Sequence, residues 1–167
     1  MIEFVYKKPA YYAGVINNSL GLRTLAKFDS GAAISIIGLE RFGRELQDKL
    51  FIDFFMKYTK DKGIDKKVYT AANEQAIETY PCMIDKISLD GTDITNFRFG
   101  LVLTQKSNRF LLGDDFISCC EFAHKIGGSI SINNFSQSRY EASVSNTKLA
   151  NLTAILSNYK KQHNSMI

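Results

Sequence analysis

The sequence predicts a mainly β domain with one inserted helix and a second helix near its C-terminus. Three observations carry this. Apolar residues alternate with period two through most of the stretch from Val68 to Thr104. Turn signals at NNSLG (17–21), around Ala72-Asn73-Glu74 and at Asp90-Gly91 separate short apolar runs. A helical period is confined to 39–60 and 149–159.

The elements follow in chain order. YYAGVI, NNSLG and LRTLAKF read as strand, turn and strand. DSGA (29–32) is a turn, and ISII (34–37) is either a short buried strand or the lead-in to a helix. In LERFGRELQDKLFIDFFMKYTK, Leu39, Phe42, Leu46, Leu50 and Phe54 share one helical face, and Gly63 ends the helix. VYTAANEQAIETY is a hairpin with a polar tip. CMIDKISLDGTDITNFRFGLVLT continues as two strands about Asp90-Gly91, with Phe97, Phe99, Leu101 and Leu103 on one face. RFLLGDDFISCCEF gives an apolar strand, a glycine and a short helix that holds Cys119 and Cys120. GGSISI is the last strand. Beyond Asn133 the chain is polar, until Leu149, Leu152, Ile155, Leu156 and Tyr159 return at helical spacing.

Composition narrows the function classes. The 167 residues suit one core, with 45% apolar and 23% charged side chains. No apolar run has the length of a membrane span, and MIEFVYKKPAYY lacks the basic and apolar regions of a secretory signal. Three cysteines without C-x-x-C spacing argue against a disulfide framework or a zinc site. A reducing, cytoplasmic setting, with no membrane partner, is the expectation. The net charge of +4 is spread along the chain, which reads as a solvated surface and not a nucleic-acid site.

One residue resists a purely structural reading. Asp29 interrupts KFDSGAAISIIG, a stretch otherwise small and apolar, and an unpaired buried carboxylate is costly. It is either a turn aspartate bonded to its own backbone or the mark of a site.

The ordered set around it resembles the retropepsin-like aspartic proteases. Phe28-Asp29-Ser30-Gly31-Ala32 with Ser35 and Ile37 comes first. VYTAANEQAI then looks like the family's flap hairpin. Phe110-Leu111-Leu112-Gly113-Asp114-Asp115-Phe116 is similar to the family's apolar-apolar-Gly strand. The resemblance covers about residues 10 to 133. It implies a closed acid-protease barrel with a flap and an inserted helix after the catalytic strand; with the polar composition beyond Asn133, the expected division is a protease domain (1–133) and a polar tail with an amphipathic helix (134–167).

It also implies a homodimeric endopeptidase acting on peptide or protein substrates, without metal or organic cofactor. Asp29 would be catalytic, one from each subunit. Ser30, Gly31 and Ala32 would support the active-site turn. Ala71, Ala72, Asn73, Glu74 and Gln75 would form the substrate-binding flap, and Leu111, Leu112 and Gly113 a structural strand beside the turn. Asp115 is expected to cap the following helix. The chain departs from the family in its longer helical insert, in Ser30 where threonine is usual, and in Asn73-Glu74-Gln75 where many relatives have a glycine. Two rivals stand beside this reading. One is an inactive relative that keeps a peptide groove or a dimer contact. The other is a cysteine hydrolase pairing Cys119 or Cys120 with His124 or His163.

Overall fold

The computed structural model describes residues 1–70, 75–103, 107–125, 127–143 and 148–165. It is mainly β. Strands β1 (Ile2–Lys7), β2 (Ala10–Asn17), β3 (Leu22–Phe28), β4 (Ile36–Gly38), β5 (Lys67–Thr70), β6 (Ala76–Leu89), β7 (Thr92–Val102), β8 (Phe110–Leu112), β9 (Cys120–Lys125), β10 (Ser129–Phe135) and β11 (Ala150–Asn151) join one mixed sheet. Neighbours run β11-β6-β7-β4-β8-β3-β2-β1-β10-β9, with β5 on β6. A further pairing, Val15 with Leu89 and Ile16 with Ser88, brings β2 onto β6 and closes six strands into a ring. Val15, Leu22, Ile84, Ile87, Phe97 and Leu112 are wholly buried in its core.

The turns follow from local chemistry. Asp90 and Gly91 both have positive φ, 48° and 80°, the form a two-residue hairpin with native twist requires. At NNSLG the Asn17 side chain accepts from Leu20 N, and Gly21 closes the turn at φ 62°.

The inserted helix differs from its expected form. Residues 39–41 make a single 3-10 turn, α1 spans Arg44–Gln47 and α2 spans Lys49–Asp61. Asp48 is extended, at ψ 136°, and its carboxylate caps Leu50 N at 3.0 Å. The helix therefore restarts out of phase. Leu39, Phe42 and Leu46 are buried as the spacing requires, but Leu50 is 58% exposed and Phe51 and Phe55 take the core face.

Two stretches gain strands. IEFVYK forms β1, with Ile2 and Phe4 inward, because it lies between β2 and β10. The helix expected over FISCCEF is only one turn, α3 (Asp114–Ile117), and Cys120 already belongs to β9, which pairs with β10. Beyond Asn133 the chain remains ordered through α4 (Gln137–Ala142), whose Tyr140 is wholly buried under β7. Helix α5 (Leu152–Ser165) buries Leu152, Ile155 and Leu156 against the same core and sets Tyr159 5.4 Å from Phe51, ring to ring. No helix among the described residues is long and apolar enough to cross a membrane.

Candidate active site

Strand β3 ends at Phe28, and the turn that follows is held by backbone bonds. Asp29 N donates to Leu112 O at 3.0 Å, Ala32 N to Asp29 O at 3.1 Å and Asp114 N to Ala32 O at 2.7 Å. The turn is thus clamped to the end of β8. Gly113 sits where the two segments cross, and a Cβ there would meet the Ile34 carbonyl and come within 2.8 Å of the Ala32 carbonyl oxygen.

Ser35 and Asp115 make the second tie. Ser35 is fully buried. Its Oγ donates to Asp115 Oδ1 at 2.8 Å and accepts from Gly113 N at 3.1 Å, while Ser35 N donates to the same carboxylate oxygen at 3.0 Å. Phe116 N adds a third bond to Oδ1 at 2.9 Å. Burial raises the Asp115 pKa; these bonds and the nearby Arg98 oppose that rise. Asp115 is therefore not the expected helix cap. The N-cap of α3 is Gly113, and Asp115 points back to the turn.

Asp29 itself is half-buried, with Ser30 exposed beside it. Among the described residues its carboxylate has one hydrogen bond, from Gly31 N to Oδ1 at 3.2 Å. It faces a cavity of about 810 Å³. Gly31 and Ala32 line the floor with it, Leu111 lines the β8 side, and Tyr69, Thr70 and Ile77 of the β5–β6 hairpin line the cover. Thr70 pairs with Ala76, the last pair of this hairpin among the described residues. Ala71, Ala72, Asn73 and Glu74 lie outside the described residues. Burial, and then the Asp115 charge, push the Tyr69 hydroxyl above its ordinary range.

Three comparisons with known proteins bear on this chain. No family model matches it, and no curated protein matches its sequence. Among solved structures it is similar to a retropepsin-like aspartic protease from Rickettsia conorii, at 14% identity and a TM-score of 0.47, over 77% of this chain and 95% of that one. A likeness this distant carries nothing about activity.

The rival nucleophiles are poorly placed. Burial pushes the Cys120 thiol up to about 12, the wrong direction for a reactive thiolate. His124 is hydrogen-bonded to the Tyr11 hydroxyl at 2.8 Å, and His163 stacks on Tyr159. Among the described residues no three His, Cys, Asp or Glu side chains group to hold a metal ion.

Sequence reasoning missed the cations of the cavity wall, Lys27, Arg41 and Arg109. A signal existed for Lys27. It stands two residues before Asp29 on a strand, and period two puts both side chains on one face.

Proposed function

We propose that this chain is one subunit of a homodimeric aspartic endopeptidase in which the two Asp29 carboxylates activate a water. One observation carries the reading. A carboxylate with a single turn hydrogen bond stands on a doubly tied turn, on the floor of a large cavity roofed by a hairpin. A merely structural aspartate would spend its oxygens on neighbours, as Asp115 does.

The chemistry needs two carboxylates. Brought close across a two-fold axis they cannot both ionise cheaply, so they share one proton. The ionised Asp29 takes a proton from the water as its oxygen bonds to the scissile carbonyl carbon. The protonated Asp29 donates to the carbonyl oxygen. Proton transfer to the amide nitrogen then lets the C–N bond break, with no acyl-enzyme. Ser30 would bond across the axis, Gly31 and Ala32 would keep the floor low, and residues 71–75 would close over an extended substrate paired β-fashion with the cleft. Leu111, Leu112 and Gly113 act by holding the turn.

The edge of β9 supports a dimer contact near the site. It is one of the outer strands of the sheet among the described residues, with Phe122 49% exposed. The Phe122 ring meets that of Phe28, the residue before Asp29, at 5.3 Å. Two β9 strands paired antiparallel about Phe122-Ala123 would oppose Glu121 to His124 and set the two turns close to one axis.

A second reading, an inactive peptide-binding relative, draws on Asn73-Glu74-Gln75 at the hairpin tip. Cleavage of an unfolded protein mixture at about pH 5, with wild type and Asp29→Asn compared, separates the two. Cutting that disappears in the variant supports the peptidase. A folded dimer that cuts nothing but binds pepstatin supports the inactive module. Equal cutting by both proteins overturns the role of Asp29.

A further inference from the structure

We infer that the cleft recognises a peptide with an internal acidic side chain, Asp or Glu, two or three residues from the bond over Asp29. This rests on the peptidase reading of the same cavity and adds a substrate class to it.

The argument begins with strand register. Lys27 on β3 lies opposite Leu111 on β8 in a parallel pair. Lys27 precedes Asp29, the first residue after β3, by two positions, and Arg109 precedes Leu111 by two on the segment entering β8. All four line the cavity. Lys27 therefore stands one pleat back from Asp29, and Arg109, level with Leu25, stands one pleat further along the same wall.

Charge settles what enters. The charged side chains among the described lining residues are Lys27, Arg41, Arg109 and Asp29, three cations against one anion. Arg41 is already engaged, through Nη1 to Thr24 Oγ1 at 2.5 Å and through Nε to the Asn108 carbonyl. The side chains of Lys27 and Arg109 have neither a hydrogen bond nor an ion pair among the described residues. Both are half-buried. A substrate closing over them would strip their water, so an apolar side chain would leave two desolvated cations unpaired. A carboxylate pairs with them, and the Arg109 guanidinium matches its two oxygens. The wall also concentrates field in a concave site and draws acidic chains toward it.

The test uses two capped peptides that differ only by Glu or Gln two residues from a central apolar pair. Binding is measured on Asp29→Asn protein at low and moderate salt, and cleavage on wild type. The Glu peptide is expected to bind roughly tenfold more tightly than the Gln peptide, with the difference shrinking as salt rises. Lys27→Gln/Arg109→Gln in the same background should remove the difference while the melting temperature stays unchanged. Equal binding of the two peptides, no binding of either, or a preference that survives the double variant overturns the inference. A Gln peptide with a free C-terminus that binds as well as the capped Glu peptide also overturns it, because the carboxylate then recognised is the chain end. If the Glu preference is found but wild type cuts neither peptide, recognition of acidic peptides stands and the peptidase reading fails.

Discussion

The Ser35 hydroxyl donates to Asp115 Oδ1 at 2.8 Å and accepts from Gly113 N at 3.1 Å, so one buried side chain joins the segment after the Asp29 turn to the end of β8. Asp115 is the acceptor hub, with three donors on a single oxygen. Removing it by Asp115→Ala leaves those donors unsatisfied in a buried place and should cost about 2–3 kcal/mol. Chemical denaturation of the variant against wild type measures this.

The same residue sets a pH dependence. Its pKa is raised in the folded chain, chiefly by burial. Below its unfolded pKa the group is protonated in both states and contributes nothing. As pH rises from the ordinary carboxylate value to the raised folded one, the unfolded chain ionises first and the folded form loses stability relative to it. Asp115→Asn keeps an oxygen for the Ser35 donors and cannot ionise. The variant should lose less stability than wild type as pH rises above about 4, the ordinary carboxylate value. Parallel curves over that range would show that Asp115 ionises at no cost.

Gly113→Ala places a methyl against the Ile34 and Ala32 carbonyls, which are backbone and give little. Destabilisation of about 1–3 kcal/mol is expected. Because the Asp29 turn must shift to make room, cleavage should fall further than the unfolded fraction accounts for. Activity scaled to the folded fraction distinguishes the two effects.

The dimer contact is tested at Phe122→Lys. Phe122 is half-exposed on the outer strand β9, so the subunit should stay folded although the ring contact with Phe28 is lost. Sedimentation is expected to show a monomer, with cleavage lost in parallel. A dimeric Phe122→Lys protein would move the contact elsewhere.

Ile155 is wholly buried on α5. Ile155→Ala should destabilise the whole domain by about 2–5 kcal/mol in a single transition. A separate early transition for the helix would mean that it is only loosely attached.

Much of the fold was legible because period and turn chemistry are local. The β2–β3 hairpin, the Asp90-Gly91 turn and the Phe97, Phe99 and Leu101 face all read directly from the chain. The losses have particular causes. Asp48 offered a cap in mid-helix, and that one side chain reset the phase and exposed Leu50. Strand β9 has little inward pattern of its own, since most of its side chains are exposed and its partner β10 defines it. Tyr140 looked like part of a polar tail, but its hydroxyl accepts from Arg98 N at 2.7 Å and its ring stacks on the Arg98 guanidinium. At the site, Asp29 stood out by being acidic among apolar neighbours. Lys27 and Arg109 did not, because their meaning depends on the β3–β8 register, a pairing of residues more than eighty positions apart.

Mixing subunits tests most directly whether catalysis needs an Asp29 from each chain. After subunit exchange, wild type with a threefold excess of Asp29→Asn should keep roughly a quarter of its activity, because only dimers with two carboxylates cut. Undiminished activity per wild-type subunit would contradict a shared two-chain site.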